Sequence, residues 1–199
     1  MLVKRIKTRI VGQDAAGELS ETNLVYLMAE AKTLEDKVTE AFEMLRLPLY
    51  QYLMAVFGNP AEAEDLTQES FLRLYSSLQD GQTIRNLRFW IFRVAHNLAM
   101  DRRKHNQFIR PLDADSWDEL VALLPDNGLN PEQDILRREK YSRLFDGLKR
   151  LSLHERQALY LRSRGFKYDE IAEIMAVGSS TVGEYLRRGI KKLSEHAGD

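Results

Sequence analysis

The chain has 199 residues, 44% of them hydrophobic and 30% charged, with a formal net charge of −1 and no cysteine. That length allows one large domain or two small ones with a real core, and the near-neutral balance argues against a simple basic protein that coats DNA. With no cysteine there is no disulfide framework, thiolate metal site or cysteine nucleophile, and no apolar run reaches the length of a membrane span.

The balanced total hides blocks of opposite sign. From Glu35 to Asp80 nine acids face three bases, and from Arg85 to Asn106 six bases face Asp101 alone. From Gln107 to Asp134 seven acids face Arg110 alone, and from Ile135 to Asp199 fourteen bases face nine acids. Blocks of this size suggest acidic surfaces for protein and basic ones for nucleic acid.

In chain order, residues 1–21 are expected to be disordered; their basic start has neither a long apolar core nor a cleavage site, so it does not read as a signal peptide. A weak helix is expected from Thr22 to Lys32. Thr33-Leu34-Glu35-Asp36 resembles a capping box with Asp in place of the usual Glu. A helix follows to about Phe57, with Pro48 expected to bend or split it and Gly58-Asn59-Pro60 to end it.

The next helix is expected from Ala61 to Leu78, with Leu66, Phe71, Leu74 and Leu78 inward. Asp65, Gln68, Glu69 and Leu72 then fall on one outward arc. An apolar anchor ringed by polar groups suits a protein-binding face. The same spacing suits a solvated helix face, which is the better reading of this helix taken alone.

After a loop from Gly81 to Asn86, Leu87 to His96 reads as a helix, interrupted by Asn97, and resumes as the short basic run LAMDRRKHNQ. Trp90, Phe89 and Phe92 interleave with Arg88, Arg93, Arg102, Arg103 and Lys104, a mixture able to hold phosphates and stack unpaired bases. Some of these aromatics must be core, because the helix needs a buried face.

Phe108 to Asp134, with three prolines and Gly128, reads as a linker. A helix is expected from Ile135, with Leu136, Leu144, Phe145 and Leu148 inward. Ser152 to Glu155 is a capping box opening a helix that carries Ala158, Leu159 and Leu161 and ends at Gly165.

Tyr168 to Met175 and the helix opening on Ser179-Ser180-Thr181 form two helices joined by Ala176-Val177-Gly178. The second is expected to turn Val182, Leu186, Ile190 and Leu193 inward and Glu184, Arg187, Arg188, Lys191 and Lys192 elsewhere. This is a helix-turn-helix pattern, whose second helix would enter a major groove.

Two segments in this order resemble the sigma-70 family of bacterial RNA polymerase sigma factors, of the short extracytoplasmic-function (ECF) type. The front one is AEAEDLTQESFLRLYSSL followed by FWIFRVAHNLAMDRR. The back one is LSLHERQALYLRSRGFKYDEIAEIMAVGSSTVGEYLRRGIKKL. The resemblance implies an all-α protein of two helical domains: a region 2-like bundle over 22–106 and a region 4-like helix-turn-helix domain over 135–199, joined by an acidic linker over 107–134.

It further implies a promoter-specificity subunit that is not an enzyme, is cytoplasmic, has no cofactor or metal and makes no membrane contact. Its partners would be promoter DNA and core RNA polymerase, through the β′ clamp helices and the β flap; family habit adds an anti-sigma factor. Asp65, Gln68, Glu69 and Leu72 match the clamp-docking face. Trp90, Arg93, Asn97, Arg102, Arg103 and Lys104 match the segment that reads and melts the minus-ten element, with Asn97 in a loop at an extruded base. Ser179, Ser180, Thr181, Glu184, Arg187, Arg188 and Lys191 would meet the minus-thirty-five element.

The chain departs from the family pattern at Ser152-Leu153, where Leu-Pro is common, and at Gly183, Glu184 and Tyr185 in the recognition helix. The competing classes explain less. A stand-alone helix-turn-helix regulator leaves the acidic arc and the Asn97 segment without a purpose. An enzyme built on His96 with Asp101, or on His154 with Glu155, lacks both metal-ligand spacing and a phosphate loop.

Overall fold

The computed structural model describes residues 33–105 and 146–197. The expected disordered start, the weak helix from Thr22 to Lys32, the acidic linker and most of the helix from Ile135 lie outside the described residues. Among the described residues there are six full helices and no strand: α1 Leu34–Phe57, α2 Pro60–Gln79, α3 Leu87–His105, α4 Leu153–Ser163, α5 Tyr168–Met175 and α6 Ser179–Ala197. A helical turn at residues 146–149 precedes α4.

The helix ends follow local chemistry. The Thr33 hydroxyl accepts from the Asp36 N–H at 3.1 Å while the Asp36 carboxylate accepts from the Thr33 N–H at 3.2 Å, so the aspartate completes a capping box. Gly58 closes α1 in the left-handed region at φ 62°. Asn59 then accepts from the N–H groups of Ala61 and Glu62, with Pro60 first in α2, where a missing N–H costs nothing. Ser152 and Glu155 cap α4 reciprocally, and Gly165 (φ 85°) follows its end.

Three expectations give way to tertiary packing. Pro48 does not split α1, which runs on to Phe57 with Pro48 and its neighbours Leu45, Leu49 and Leu53 buried. An interior proline costs about 3 kcal/mol, and each large apolar side chain buried contributes about 1.5–3 kcal/mol, so several such side chains outweigh it. Asn97 does not interrupt α3 either. It is an exposed residue of a continuous helix whose neighbours Ala95, His96, Leu98 and Ala99 are all buried, and its weak helix propensity costs under about 0.7 kcal/mol.

On α6, Ile190 is 58% exposed and the inward stripe is Val182, Leu186 and Gly189. Steps of i+4 and i+8 drift away from a 3.6-residue period, whereas i+4 and i+7 stay on it. The helices are close there: a Cβ on Gly189 would lie 2.6 Å from Cδ1 of Leu159 in α4, so that side chain would have to shift.

Helices α1, α2 and α3 pack on one another, as do α4, α5 and α6. The two groups also meet, α1 against α4 and α3 against α5. One hydrophobic cluster therefore runs from Leu45, Tyr52 and Phe92 to Leu161, Phe166 and Ile171.

Candidate nucleic-acid and protein-binding surfaces

Helix α2 buries Ala63, Leu66, Thr67, Ser70, Phe71 and Leu74. The two hydroxyls on that face return to the helix's own carbonyls, Thr67 to Ala63 at 2.7 Å and Ser70 to Leu66 at 2.6 Å, so they add no unsatisfied groups to the core. The opposite arc carries Asp65 and Gln68, both exposed, with Glu69 half-buried and Leu72 67% exposed. Glu69 holds Arg73 at 2.7 Å, and Gln68 donates to Glu64, which also takes Arg46 at 3.1 Å. An open leucine beside carboxylates is suited to a partner with a small apolar pocket and a basic rim.

On α3 the outward stripe is Trp90, Arg93, Asn97, Asp101 and Lys104, with Trp90 half-buried and the others exposed. The expected basic residues do not share one environment. Arg93 lies 3.7 Å from Glu173 of α5. Arg102 bonds Glu62 of α2 at 3.1 Å, and Lys104 bonds Asp101 at 3.2 Å. Arg103 turns inward and donates to the Val56 carbonyl at 3.1 Å, a cation at the negative end of α1. Burial holds the Arg103 guanidinium below its ordinary pKa. Arg103 thus braces two helices, while Trp90, Arg93, Asn97 and Lys104 remain on one face.

On α6 the expected outward set is brought together: Ser179, Ser180, Glu184, Arg187, Arg188 and Lys191 are exposed and Thr181 is half-buried. The Ser179 hydroxyl donates to Asp169 of α5 at 2.7 Å, so it ties the two helices of the motif together. Glu184 accepts from Arg187 Nη2 at 2.9 Å and from Arg188 Nη2 at 3.5 Å. Hydrogen bonding and charge from Arg187, with Arg188 adding, hold the Glu184 carboxyl below its usual range. The acid of α6 therefore acts on its own neighbouring cations.

Several residues that sequence reasoning passed over stand out. Lys192 turns from the outer face to bond Glu155 at 2.7 Å. Between the two helical groups, the Tyr160 hydroxyl donates to the Pro48 carbonyl at 2.6 Å, and Arg164 donates to Gln51. The Phe166 ring lies edge-on to Phe92 at 5.2 Å and under the Arg88 guanidinium at 4.3 Å. An aromatic residue directly after a helix-ending glycine was the only signal for this contact in the sequence.

The histidines raised as acid–base candidates sit in packing roles. His96 is buried and shares a 2.7 Å hydrogen bond with the Tyr52 hydroxyl, and His154 stacks on Tyr185 at 5.3 Å. Glu155 is spent on its cap and on Lys192. Among the described residues no cluster of His, Asp and Glu is placed to hold a metal ion, and no helix is long and apolar enough to cross a membrane.

Comparison with known proteins adds an independent line. Residues 41–109 match the family described as Sigma-70 region 2, and residues 142–193 match Sigma-70, region 4. The ECF RNA polymerase sigma-E factor of Haemophilus influenzae is 31% identical over 137 residues, covering 65% of this chain and 71% of that protein. The ECF RNA polymerase sigma factor SigW of Bacillus subtilis is 25% identical over 174 residues, covering 83% and 91%. A solved structure of the sigma factor RpoE in complex with the anti-sigma factor NepR from Bartonella quintana has the same fold, with TM-score 0.53, 18% identity, and 80% and 95% of the two chains covered.

Proposed function

The chain belongs to the ECF sigma factors of the sigma-70 family, and from that premise we propose how its surfaces divide the work of promoter-specific initiation. It is a non-enzymatic subunit that binds core RNA polymerase and promoter DNA and directs initiation. The carrying observation is that both family regions occur in one chain in the family's order.

The α2 arc of Asp65, Gln68, Glu69 and Leu72 is the docking face for the β′ clamp helices. Its support is the exposure of Leu72 within an acidic ring. The region 4 half takes the β flap and the minus-thirty-five element. Trp90, Arg93, Asn97, Arg102 and Lys104 serve the minus-ten element. Asn97 does this from within a helix, so an extruded base would come to the helix face. Arg103 serves by holding α3 to α1.

The domains follow as 22–106 and 135–199, with the acidic stretch 107–134 threading the polymerase channel in place of a nucleic-acid strand. The work is done where polymerase and chromosome are, in the cytoplasm. An anti-sigma factor acting on this chain belongs to the same reading; the structural neighbour carrying one supports it.

Run-off transcription with core polymerase on a panel of promoters, with start sites mapped, tests the function. Starts that appear only with this chain and shift with promoter sequence are expected. Core polymerase that initiates identically with and without the chain would overturn it.

A further inference from the structure

Helix α6 has a gap in the part that a major groove meets first. Gly183 lies one turn in, on one line with Ser179 and Arg187 at steps of four residues, and beside Glu184. The N-terminal residues of a recognition helix are the ones that contact base edges, and at Gly183 there is no side chain to do so. Beyond its own helix backbone and adjoining residues, a Cβ on Gly183 would meet one described atom within 4 Å, Cε2 of Tyr168 at 3.9 Å. The gap is therefore open space with one wall, an aromatic ring.

Tyr168 is held in that place. It is the first residue of α5 and is 46% exposed. The next residue, Asp169, accepts from the Ser179 hydroxyl at 2.7 Å, which fixes the first turn of α5 against the first turn of α6. The Arg162 guanidinium lies over the Tyr168 ring, 5.6 Å from its centroid, and is anchored by donating to the Phe166 carbonyl at 3.1 Å. One face of the ring is thus covered by a cation, and one edge points at Gly183.

The surroundings are polar: Ser179, Ser180, Glu184 and Arg187 are all exposed. Such groups can hydrogen-bond base edges or phosphates, whereas the ring edge and the bare Cα of Gly183 offer only an apolar notch. The apolar group that a base pair presents in the major groove is the 5-methyl of thymine. Deoxyribose is also apolar, but it lies along the backbone, and the ring edge is directed at α6 instead.

We propose that Tyr168 and Gly183 form a reading notch for one thymine methyl group of the upstream promoter element. A residue outside α6 thereby sets part of the base preference. Tyr168 supplies the apolar contact, Gly183 leaves the room, and Arg162 is a positioning residue for the ring. The notch rests on the reading of α6 as the minus-thirty-five helix and adds to it a base that the helix selects.

Deoxyuridine pairs with adenine as thymine does and lacks only the methyl group, so it isolates this contact. On a promoter from which the holoenzyme makes run-off transcripts, each thymine of the upstream element, on either strand, is replaced in turn by deoxyuridine, and holoenzyme binding is titrated. One replacement is expected to weaken binding about threefold to fivefold, the factor for one buried methyl group. The same replacement should cost nothing with Tyr168→Ser, or with Gly183→Gln, which fills the notch. It should cost the full factor with Tyr168→Phe, which keeps the ring and loses the hydroxyl. Circular dichroism and unchanged affinity for core polymerase check that each variant is folded. If no replacement weakens wild-type binding, or if the loss persists in Tyr168→Ser and Gly183→Gln, the notch is overturned. It is also overturned if Tyr168→Ser weakens every duplex alike, the mark of a sugar–phosphate contact. Core polymerase that initiates identically with and without the chain strikes the sigma-factor reading and the notch together, whereas promoter-specific run-off without a methyl effect strikes the notch alone.

Discussion

The ammonium of Lys192 lies 2.7 Å from the Glu155 carboxylate, which is itself 2.7 Å from the Ser152 N–H that it caps. One acid, 4% exposed, thus joins the start of α4 to the far end of the recognition helix. Burial pulls its carboxyl pKa up, while the hydrogen bonds and charge of Lys192 and the Ser152 N–H pull it down and prevail. Lys192→Met leaves a buried carboxylate with only its cap. It is expected to destabilise the fold by about 1–3 kcal/mol in urea unfolding, with DNA contacts of the outward face unaffected. A loss below a few tenths would mean that the pair is a solvated surface contact.

His96 couples stability to mild acid. Burial, with the charge of His154 adding, lowers its pKa to about 4 from the ordinary 6.5. The unfolded chain therefore takes up a proton below pH 6.5 that the folded chain refuses. The stability that the neutral ring contributes is present above about pH 6.5 and is lost as pH falls toward 4, by at most about 3 kcal/mol. Denaturant midpoints from pH 7.5 to 4.5, compared with His96→Gln, should show a flatter slope for the variant. Parallel curves would remove His96 from the account.

Backbone geometry on the helix-turn-helix predicts opposite signs at two sites. Ala176 ends α5 in the left-handed region at φ 52°, whereas Gly178, the glycine of the turn, does not have a positive φ. Ala176→Gly should therefore stabilise by up to about 1 kcal/mol, raising Tm by a few degrees. Gly189→Ala should destabilise by up to about 1 kcal/mol, because the added methyl group, 2.6 Å from Cδ1 of Leu159, forces that half-buried side chain to shift, and the better helix propensity of alanine offsets part of the cost. A scanning-calorimetry series of the two variants checks both signs.

Leu72→Ala and Asp65→Lys/Glu69→Lys alter exposed or half-exposed positions, so Tm should change by no more than a degree or two. Each is expected to weaken core polymerase binding about tenfold or more in a fluorescence titration, since a central apolar anchor and its charged ring typically carry over 1 kcal/mol. Wild-type affinity with unchanged circular dichroism would rule out the arc as a docking face.

On the recognition helix, Glu184 restrains Arg187 and Arg188. Glu184→Ala releases both cations and, on the proposed reading of α6, removes an acid from the DNA-facing side. It is expected to hold or raise DNA affinity across all sequences and to relax preference at one upstream base position by about 1–3 kcal/mol. Arg187→Ala should weaken every site alike and reduce the salt slope by about 0.9. Both are read by titrating holoenzyme against upstream-element variants at several salt concentrations. Uniform loss for Glu184→Ala, with base preference intact, would mean that it only braces the helix.

What the sequence determined by itself was whatever a few neighbouring residues decide. The Thr33–Asp36 and Ser152–Glu155 boxes, the left-handed stops at Gly58 and Gly165, and the outward run of Asp65, Gln68 and Leu72 are settled by hydrogen bonds and periodicity within a turn or two. Tertiary structure decided everything whose energy comes from distant atoms. Pro48 and Asn97 carry penalties that local rules register, but what outweighs them is the burial of their neighbours in α1 and α3 against other helices. Gly189 and not Ile190 faces α4, where a Cβ would lie 2.6 Å from Cδ1 of Leu159, a neighbour that only the tertiary structure brings there. Arg103 reads as one more cation in a basic run until the Val56 carbonyl, 47 residues earlier in the chain, claims it. The seating of Tyr160 on Pro48 spans 112 residues, and no local pattern encodes a bond whose two ends meet only after both halves have folded.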